Sequence, residues 1–116
     1  MAVEEILKDL TLAALADTQG IDIETYDVRQ RTDVTDYMIV CSGRSSRHIK
    51  SLANNLIEKI KAAGYKPFGI EGNDSKEWVL VDLGEVIVHI MLPATRQLYD
   101  LESLWQHENS RRQPRQ

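Results

Sequence analysis

The chain has 116 residues, of which 42% are hydrophobic and 28% are charged, a composition typical of one globular domain with one core. Its single cysteine, Cys41, excludes an intrachain disulfide and a metal site built from several cysteines. The formal net charge is −4; residues 108–116 contribute +2, so residues 1–107 carry −6. An acidic domain repels phosphate backbones, so we expect little or no direct binding to nucleic acid and favour a basic protein surface as partner.

The apolar runs are far shorter than the roughly 18 residues of a membrane span, so we expect no membrane association. The N-terminal segment carries Glu4 and Glu5 where a secretory signal peptide would carry Lys or Arg. The sequence therefore predicts a cytoplasmic protein.

Apolar residues at helical spacing predict a first helix over residues 3–18, which Gly20 ends. Residues 21–28 and 37–41 are predicted strands, and the polar residues 29–35 form the loop between them. Because these two strands follow each other directly, we expect an antiparallel pair.

The clearest periodicity predicts a second helix that Ser45 or Ser46 caps and Gly64 ends. Its apolar stripe comprises Ile49, Leu52, Ala53, Leu56, Ile57 and Ile60. Residues 66–70 are a short predicted third strand. We expect the strand–helix–strand unit across residues 37–70 to be parallel and right-handed.

Two apolar runs, residues 78–81 and 86–92, flank an Asp-Leu-Gly-Glu turn and predict a β-hairpin. A two-residue turn at the central Leu-Gly would place Trp78 opposite His89. The alternative is a type I turn followed by a bulge at Gly84, which would shift the register by one residue.

The two faces of this hairpin differ in composition. The aliphatic face is predicted to join the core and comprises Val79, Val81, Val86, Val88 and Ile90. The other face is mixed and comprises Trp78, Leu80, Asp82, Glu85, Ile87, His89 and Met91. An aromatic residue and Met beside carboxylates are typical of a protein-binding patch. The alternative is that helices cover both faces.

The C-terminal part predicts a last helix over residues 95–107 and a disordered basic tail over residues 108–116, which hold no apolar residue. The order α-β-β-α-β-β-β-α predicts an α/β fold with a mixed five-stranded sheet and flanking helices. Residues 1–107 are thus expected to form a single domain. We add Glu71, near the mixed hairpin face, and Arg96 and Tyr99, on the last helix, to the predicted partner-binding residues.

Several ordered motifs between residues 36 and 105 make the chain resemble the ribosomal silencing factor family (RsfS, also called Iojap). These motifs are Asp36 to Gly43, Ser45 to His48, Glu71-Gly72, Trp78 to His89, Arg96, Tyr99, Leu101-Glu102 and Leu104-Trp105. The resemblance implies a factor that binds a large-subunit ribosomal protein (number fourteen in the standard series) and blocks joining to the small subunit. It also implies repression of translation when nutrients are short, and a nucleotidyltransferase-like fold without its active site.

A diverged nucleotidyltransferase is the alternative function. Such enzymes need a Gly-Ser loop followed by two carboxylates one residue apart that hold Mg²⁺. Gly43 to Ser46 could supply the loop, but the strands after it lack the carboxylate pair. We therefore expect no catalytic residue, no metal and no cofactor.

The remaining reactive residue types have structural interpretations. Cys41 is predicted to be an inert small hydrophobe, His48 to pack near a helix cap and His89 to be a hydrogen-bonded structural residue. A solvated surface is the favoured interpretation of Arg44, Arg47 and Lys50, with an anion site as the alternative. A homodimer through a self-complementary sheet face is a third possible use of the mixed face.

Overall fold

The computed structural model describes residues 2–104, which form the predicted five-stranded mixed sheet with flanking helices. Two helices lie on one face of the sheet, and the third lies against one end of the other face. The elements are α1 (Val3–Asp17), β1 (Ile21–Asp27), β2 (Tyr37–Ser42), α2 (Ser46–Ala62), β3 (Gly69–Glu71), β4 (Trp78–Asp82), β5 (Val86–Met91) and α3 (Pro93–Tyr99). Within this part of the chain, no helix combines the length and the apolar character needed to cross a bilayer. The predicted tail, residues 108–116, lies outside the described residues.

The strands lie in the order β1-β2-β5-β4-β3. β2 and β5 are parallel, and the other three neighbouring pairs are antiparallel. The predicted antiparallel pair of β1 and β2 and the predicted hairpin of β4 and β5 are both confirmed. β2 and β3 run in the same direction, as expected of the strand–helix–strand unit, but β5 and β4 lie between them.

Helices α1 and α2 cover one face of the sheet because each presents an apolar stripe to it. Ser45 caps α2, since its Oγ accepts a hydrogen bond from the backbone N–H of His48 at 3.1 Å. Gly64 follows the helix with a φ of 92°, a conformation that side chains other than glycine rarely adopt. The helices and the covered sheet face share one core, whose fully buried members include Leu15, Ile39, Ile49, Leu52, Leu56, Val79, Val81, Val88 and Ile90.

The hairpin register differs from both expected registers. Trp78 lies opposite Met91 and Leu80 opposite His89, a shift of two residues from the register first expected. The turn is centred one residue later, and Gly84 takes its first central position with a φ of 87°, as a type II′ turn requires. Because side chains alternate with a period of two, this shift leaves every residue on its predicted face.

The prediction of one continuous last helix over residues 95–107 is wrong. α3 ends at Tyr99 because Asp100 adopts a left-handed conformation with a φ of 51°. The Asp100 N–H caps the helix by donating to the Arg96 carbonyl oxygen at 2.9 Å. Helical conformation resumes over residues 101–104, and residues 105–107 lie outside the described part.

Candidate protein-binding face

The sheet surface opposite α1 and α2 is the candidate functional site, and we call it the open face. Strand alternation and register place on it the side chains of Tyr26, Met38, Trp78, Leu80, Asp82, Ile87 and His89. Its middle is half-buried: Met38, Leu80 and Ile87 retain solvent contact on three neighbouring strands. At the end near β2 residue Ser42, α3 lies against this surface, and Val40 and Met91 there are fully buried.

Trp78 contacts two other aromatic rings at the end of the open face where α3 lies. Its Nε1–H donates to His89 Nδ1 at 3.0 Å, and its ring centroid lies 5.7 Å from the His89 ring. On the other side its ring contacts Tyr99 of α3, with centroids 4.9 Å apart and planes tilted by 52°. Tyr99 is 57% exposed, so it extends this aromatic contact to the surface. The three rings form a continuous cluster from the sheet to solvent.

His89 and Met91 are buried, with 7% and 0% of their surface exposed. This corrects the expectation that the whole mixed hairpin face is presented to a partner. Burial lowers the pKa of His89 to about 4, so the ring is neutral near pH 7. A neutral Nδ1 can accept the Trp78 N–H, and the prediction of a hydrogen-bonded structural histidine is confirmed. The side chains of His89 and Met91 therefore pack inside the protein at the open face and are not presented to a partner.

Arg96, also predicted to contact a partner, is only 9% exposed and instead fixes α3 to the sheet. Its Nη1 donates to Ser42 Oγ at 3.0 Å, and its Nη2 forms an ion pair with Glu102 Oε2 at 2.8 Å. The Tyr26 hydroxyl also lies against the Glu102 carboxylate, at 3.4 Å. Burial, aided by this carboxylate, raises the pKa of Tyr26 to about 12. The network therefore ties the C-terminal segment to β1 and β2.

Acidic residues border the open face at the edge strand β3 and at the hairpin turn. Glu71 is exposed on this edge strand and lies opposite Leu80. Asp82 accepts a hydrogen bond from the Gly84 N–H at 2.8 Å, so it stabilises the turn as well as adding charge. Glu85 is half-buried in the turn. Between the rim and the aromatic cluster lies a depression of about 320 Å³ lined by Glu71, Gly72, Ser75, Trp78 and Leu80.

The residues considered for catalysis have structural surroundings. Cys41 is fully buried, and burial raises the pKa of its thiol to about 11, which disfavours the nucleophilic thiolate. His48 accepts from the Arg44 N–H at 2.8 Å through Nδ1, and its Nε2 lies 2.8 Å from the Thr18 carbonyl oxygen. The predicted packing role of His48 is confirmed.

Two open-face residues, Tyr26 and Met38, were missing from the predicted set. They face each other across β1 and β2, and Met38 lies beside Ile87 because β2 pairs with β5. Alternation along β2 placed Met38 on the face opposite Ile39, but only the strand order brings it beside the hairpin. The alternation along β2 was therefore visible in the sequence, but it could not show that β5 is the strand next to β2.

Comparisons with known proteins agree on one family. A family model described as "Ribosomal silencing factor during starvation" matches residues 3–116. Ribosomal silencing factor RsfS of Haemophilus influenzae is 47% identical over 105 residues, which cover 90% of this chain and 99% of that protein. A crystal structure of a Chromobacterium violaceum protein matches with a TM-score of 0.87 and 46% identity, covering 91% of this chain and 88% of that one. The mouse protein named mitochondrial assembly of ribosomal large subunit protein 1 is 35% identical over 100 residues, which cover 84% of this chain and 44% of that protein.

Proposed function

Because the chain belongs to the ribosomal silencing factor family, we propose that it represses translation in the cytoplasm by binding the large ribosomal subunit. The proposed contact is ribosomal protein fourteen at the subunit interface, where the bound factor sterically blocks joining to the small subunit. Occlusion of this kind needs affinity and position, and it needs no chemical step.

The observation that carries the proposal is the open face itself. α1 and α2 lie on the opposite side of the sheet, and α3 covers only the end beside Met91. Leu80 and Ile87 therefore remain in contact with solvent on the same sheet face as Trp78, whose ring contacts the exposed Tyr99. An apolar centre with aromatic residues at its edge matches the composition of protein-binding hot spots.

Charge supports a basic protein as the partner. Glu71, Asp82 and Glu85 border the open face, and residues 1–107 carry a net charge of −6. A complementary basic surface would be attracted over a distance of about one Debye length, roughly 8 Å at physiological salt. The name of the mouse relative refers to the large ribosomal subunit, and this supports the choice of subunit.

Co-sedimentation with separated ribosomal subunits tests this proposal. We expect the protein to pellet with large subunits and not with small ones. Leu80→Ser should weaken this binding about 30-fold or more, since it removes an apolar contact worth about 2 kcal/mol or more at the centre of the interface. Val34→Ser is the matched control, because Val34 is 74% exposed in the loop between β1 and β2.

Equal binding to both subunits, or equal losses in the two variants, would contradict the proposal. A second measurement addresses the blocking step. Large subunits that are saturated with the protein should form fewer complete ribosomes when small subunits are added, while large subunits mixed with the Leu80→Ser variant should join normally.

Two competing uses of the chain make different predictions. A diverged nucleotidyltransferase would bind a nucleotide with Mg²⁺, which calorimetry detects. The Haemophilus influenzae and Chromobacterium violaceum relatives are instead named ribosomal silencing factors. Across residues 2–104, no group of three or more His, Cys, Asp or Glu is placed to hold a metal ion. A homodimer through the open face would dissociate in the Leu80→Ser variant, which analytical ultracentrifugation resolves.

A further inference from the structure

A groove of about 660 Å³ lies along the first turns of α2, next to the loop between β3 and β4. Its lining comprises Ser46, Arg47, Lys50, Ser51, Asn54 and Lys76. We call it the basic groove. Arg44, whose backbone N–H donates to His48 in the first turn of α2, adds a fourth exposed cation close to the groove.

The four cations of the basic groove form no ion pair with any residue of the described part. The ion pairs of residues 2–104 involve Lys8, Arg29 and Arg96, and none involves a cation of the groove. Glu77, the carboxylate next to Lys76 in sequence, accepts a hydrogen bond from Thr95 instead. Four of the eleven Lys and Arg residues in this part of the chain thus gather at one place without a compensating carboxylate.

Local charge, rather than net charge, determines what this surface attracts at physiological salt. Charges further apart than the Debye length of about 8 Å are largely screened there. The excess of carboxylates elsewhere on the domain therefore does not cancel the groove's potential at close range. The expectation of little nucleic-acid binding follows from the net charge of −6 on residues 1–107 and does not apply to this surface.

We propose that the basic groove binds the phosphodiester backbone of RNA. The lining side chains are of types that contact phosphate oxygens: two Lys, one Arg, two Ser and one Asn. Among them, the Ser46 hydroxyl already donates to the Lys76 carbonyl oxygen, and the other five supply the donors. Among the described residues no aromatic side chain lines the groove, so it offers no platform for stacked bases and no basis for reading sequence. No apolar side chain of residues 2–104 lines it either, which disfavours an amphipathic peptide or a lipid surface.

The lining residues are also spaced along the groove so that they could contact an extended ligand at several points. Arg47, Lys50, Ser51 and Asn54 follow one face of α2 over two turns, a length of about 10 Å. Lys76 joins them from the neighbouring loop, which Ser46 holds by donating to the Lys76 carbonyl oxygen at 2.5 Å. A row of donors suits consecutive phosphates better than a single small anion.

The basic groove shares no lining residue with the open face, and the loop that carries Lys76 leads directly into Trp78 of β4. In the loop that carries Lys76, Ser75 Oγ accepts from the Trp78 N–H at 3.2 Å, and Gly72 packs so closely that a Cβ there would collide with the Trp78 carbonyl oxygen. The loop therefore holds a fixed position relative to Trp78. Protein docking on the open face and RNA contact at the groove can occur together.

Binding of a labelled oligouridine of about 12 nucleotides to the full-length protein, followed by fluorescence anisotropy, tests this inference. Four phosphate contacts to a single strand predict a slope of about −3 for the logarithm of affinity against the logarithm of salt concentration. Raising salt from about 50 to about 200 mM should then weaken binding about 50-fold. The double variant Arg47→Gln/Lys50→Gln should halve this slope, leaving a loss of about 7-fold.

The matched control is the double variant Lys59→Gln/Lys61→Gln, which removes two exposed cations from the other end of α2. This control should keep the wild-type slope, and an equal reduction in both variants would overturn the proposal. So would an absence of RNA binding at the lower salt concentration. Displacement of the RNA by inorganic phosphate at matched ionic strength would also overturn it, since the groove would then hold a free anion. Because no ribosomal protein is present, the outcome does not depend on the proposed docking.

Discussion

His89 couples the aromatic cluster of the open face to the sheet through one hydrogen bond that needs a neutral ring. Its Nδ1 accepts the Trp78 N–H, and its side chain is 7% exposed. Protonation would put a proton where this N–H is donated and would leave a charge in an apolar position. Trp78 in turn lies against Tyr99, so the state of His89 affects the surface that a partner would meet.

This arrangement predicts a pH-dependent stability. Burial lowers the pKa of His89 to about 4 in the folded protein, whereas the unfolded chain has the usual value of about 6.5. Between these values only the unfolded state binds the proton, so acid favours unfolding in this range. We expect His89 to account for a loss of about 2 kcal/mol in the free energy of unfolding between about pH 7 and pH 5.

Urea unfolding at the two pH values measures this loss. His89→Gln keeps an acceptor for the Trp78 N–H and removes the titration, so its stability should change less over the same range. Carboxylates titrate in both proteins, and the difference between wild type and variant isolates the histidine. Equal losses in the two proteins would show that His89 does not carry the effect.

At the scale of elements, the stability of α3 comes from its contacts with the rest of the protein, because the helix is short. It has seven residues and ends in the left-handed Asp100. Isolated helices of this length are unstable in water, so contacts with β2 and with the segment after Asp100 must hold it. Arg96 makes these contacts through Ser42 and Glu102. The same contacts place Tyr99 at the edge of the open face.

Loss of the Arg96–Glu102 ion pair should therefore destabilise the protein. Glu102→Gln leaves the Arg96 charge only 9% exposed and without its direct ion-pair partner. We expect a loss of about 2 kcal/mol in the free energy of unfolding, below the roughly 3–5 kcal/mol of a fully buried pair because Glu102 keeps some exposure. Urea unfolding measures this.

Asp27→Asn provides the comparison. It breaks the ion pair of Asp27 with Arg29, whose side chains are 50% and 44% exposed, and should cost less than about 1 kcal/mol. A cost for Glu102→Gln that is no larger than this would mean that α3 is held by its apolar contacts alone.

At the scale of the whole molecule, charge is unevenly distributed. The open face has an acidic rim, whereas the basic groove at the end of the same sheet gathers four cations that form no ion pair within residues 2–104. Under the proposed function and the proposed RNA contact, the acidic rim would face a basic protein and the basic groove would face RNA phosphates. Under the proposed function, the acidic rim mainly accelerates encounter with the protein partner.

Association with the large subunit should accordingly slow as salt rises, because the Debye length falls from about 30 Å at 0.01 M to about 8 Å at physiological salt. Asp82→Asn with Glu85→Gln should flatten this dependence of the on-rate. The amide oxygen that Asp82→Asn introduces would still accept the Gly84 N–H, so the turn should persist. Stopped-flow or surface-based kinetics at several salt concentrations measure the effect.

The control is Asp17→Asn with Glu58→Gln, an equal change of charge at exposed positions of α1 and α2. It should keep the wild-type salt dependence. If both variants flatten the dependence equally, net charge and not the rim governs association. If neither does, the partner surface lies elsewhere, for example beside Tyr99.

Local periodicity in the sequence predicted most of the fold. The period of 3.6 residues predicted α1 and α2, and alternation predicted both faces of the hairpin correctly although the register was wrong. The reason is that a shift of two residues preserves the face of every side chain. The prediction of a continuous last helix failed because Asp100 caps α3 in a left-handed conformation, a break that the spacing of the apolar residues does not mark.

What the sequence determined by itself was therefore local: which residues alternate, which follow a helical stripe, where turns lie, and the motifs by which the family is identified. The tertiary structure alone decided which of these residues meet. Pairing of β2 with β5 put Met38 beside Ile87, and folding of α3 onto the sheet buried Arg96 against Ser42. The contact of Ser46 with the loop of Lys76, thirty residues away, completed the basic groove. These contacts depend on the order of the strands and on the docking of the helices. Both are determined by interactions between side chains that are distant in the chain, so no local sequence pattern predicts them.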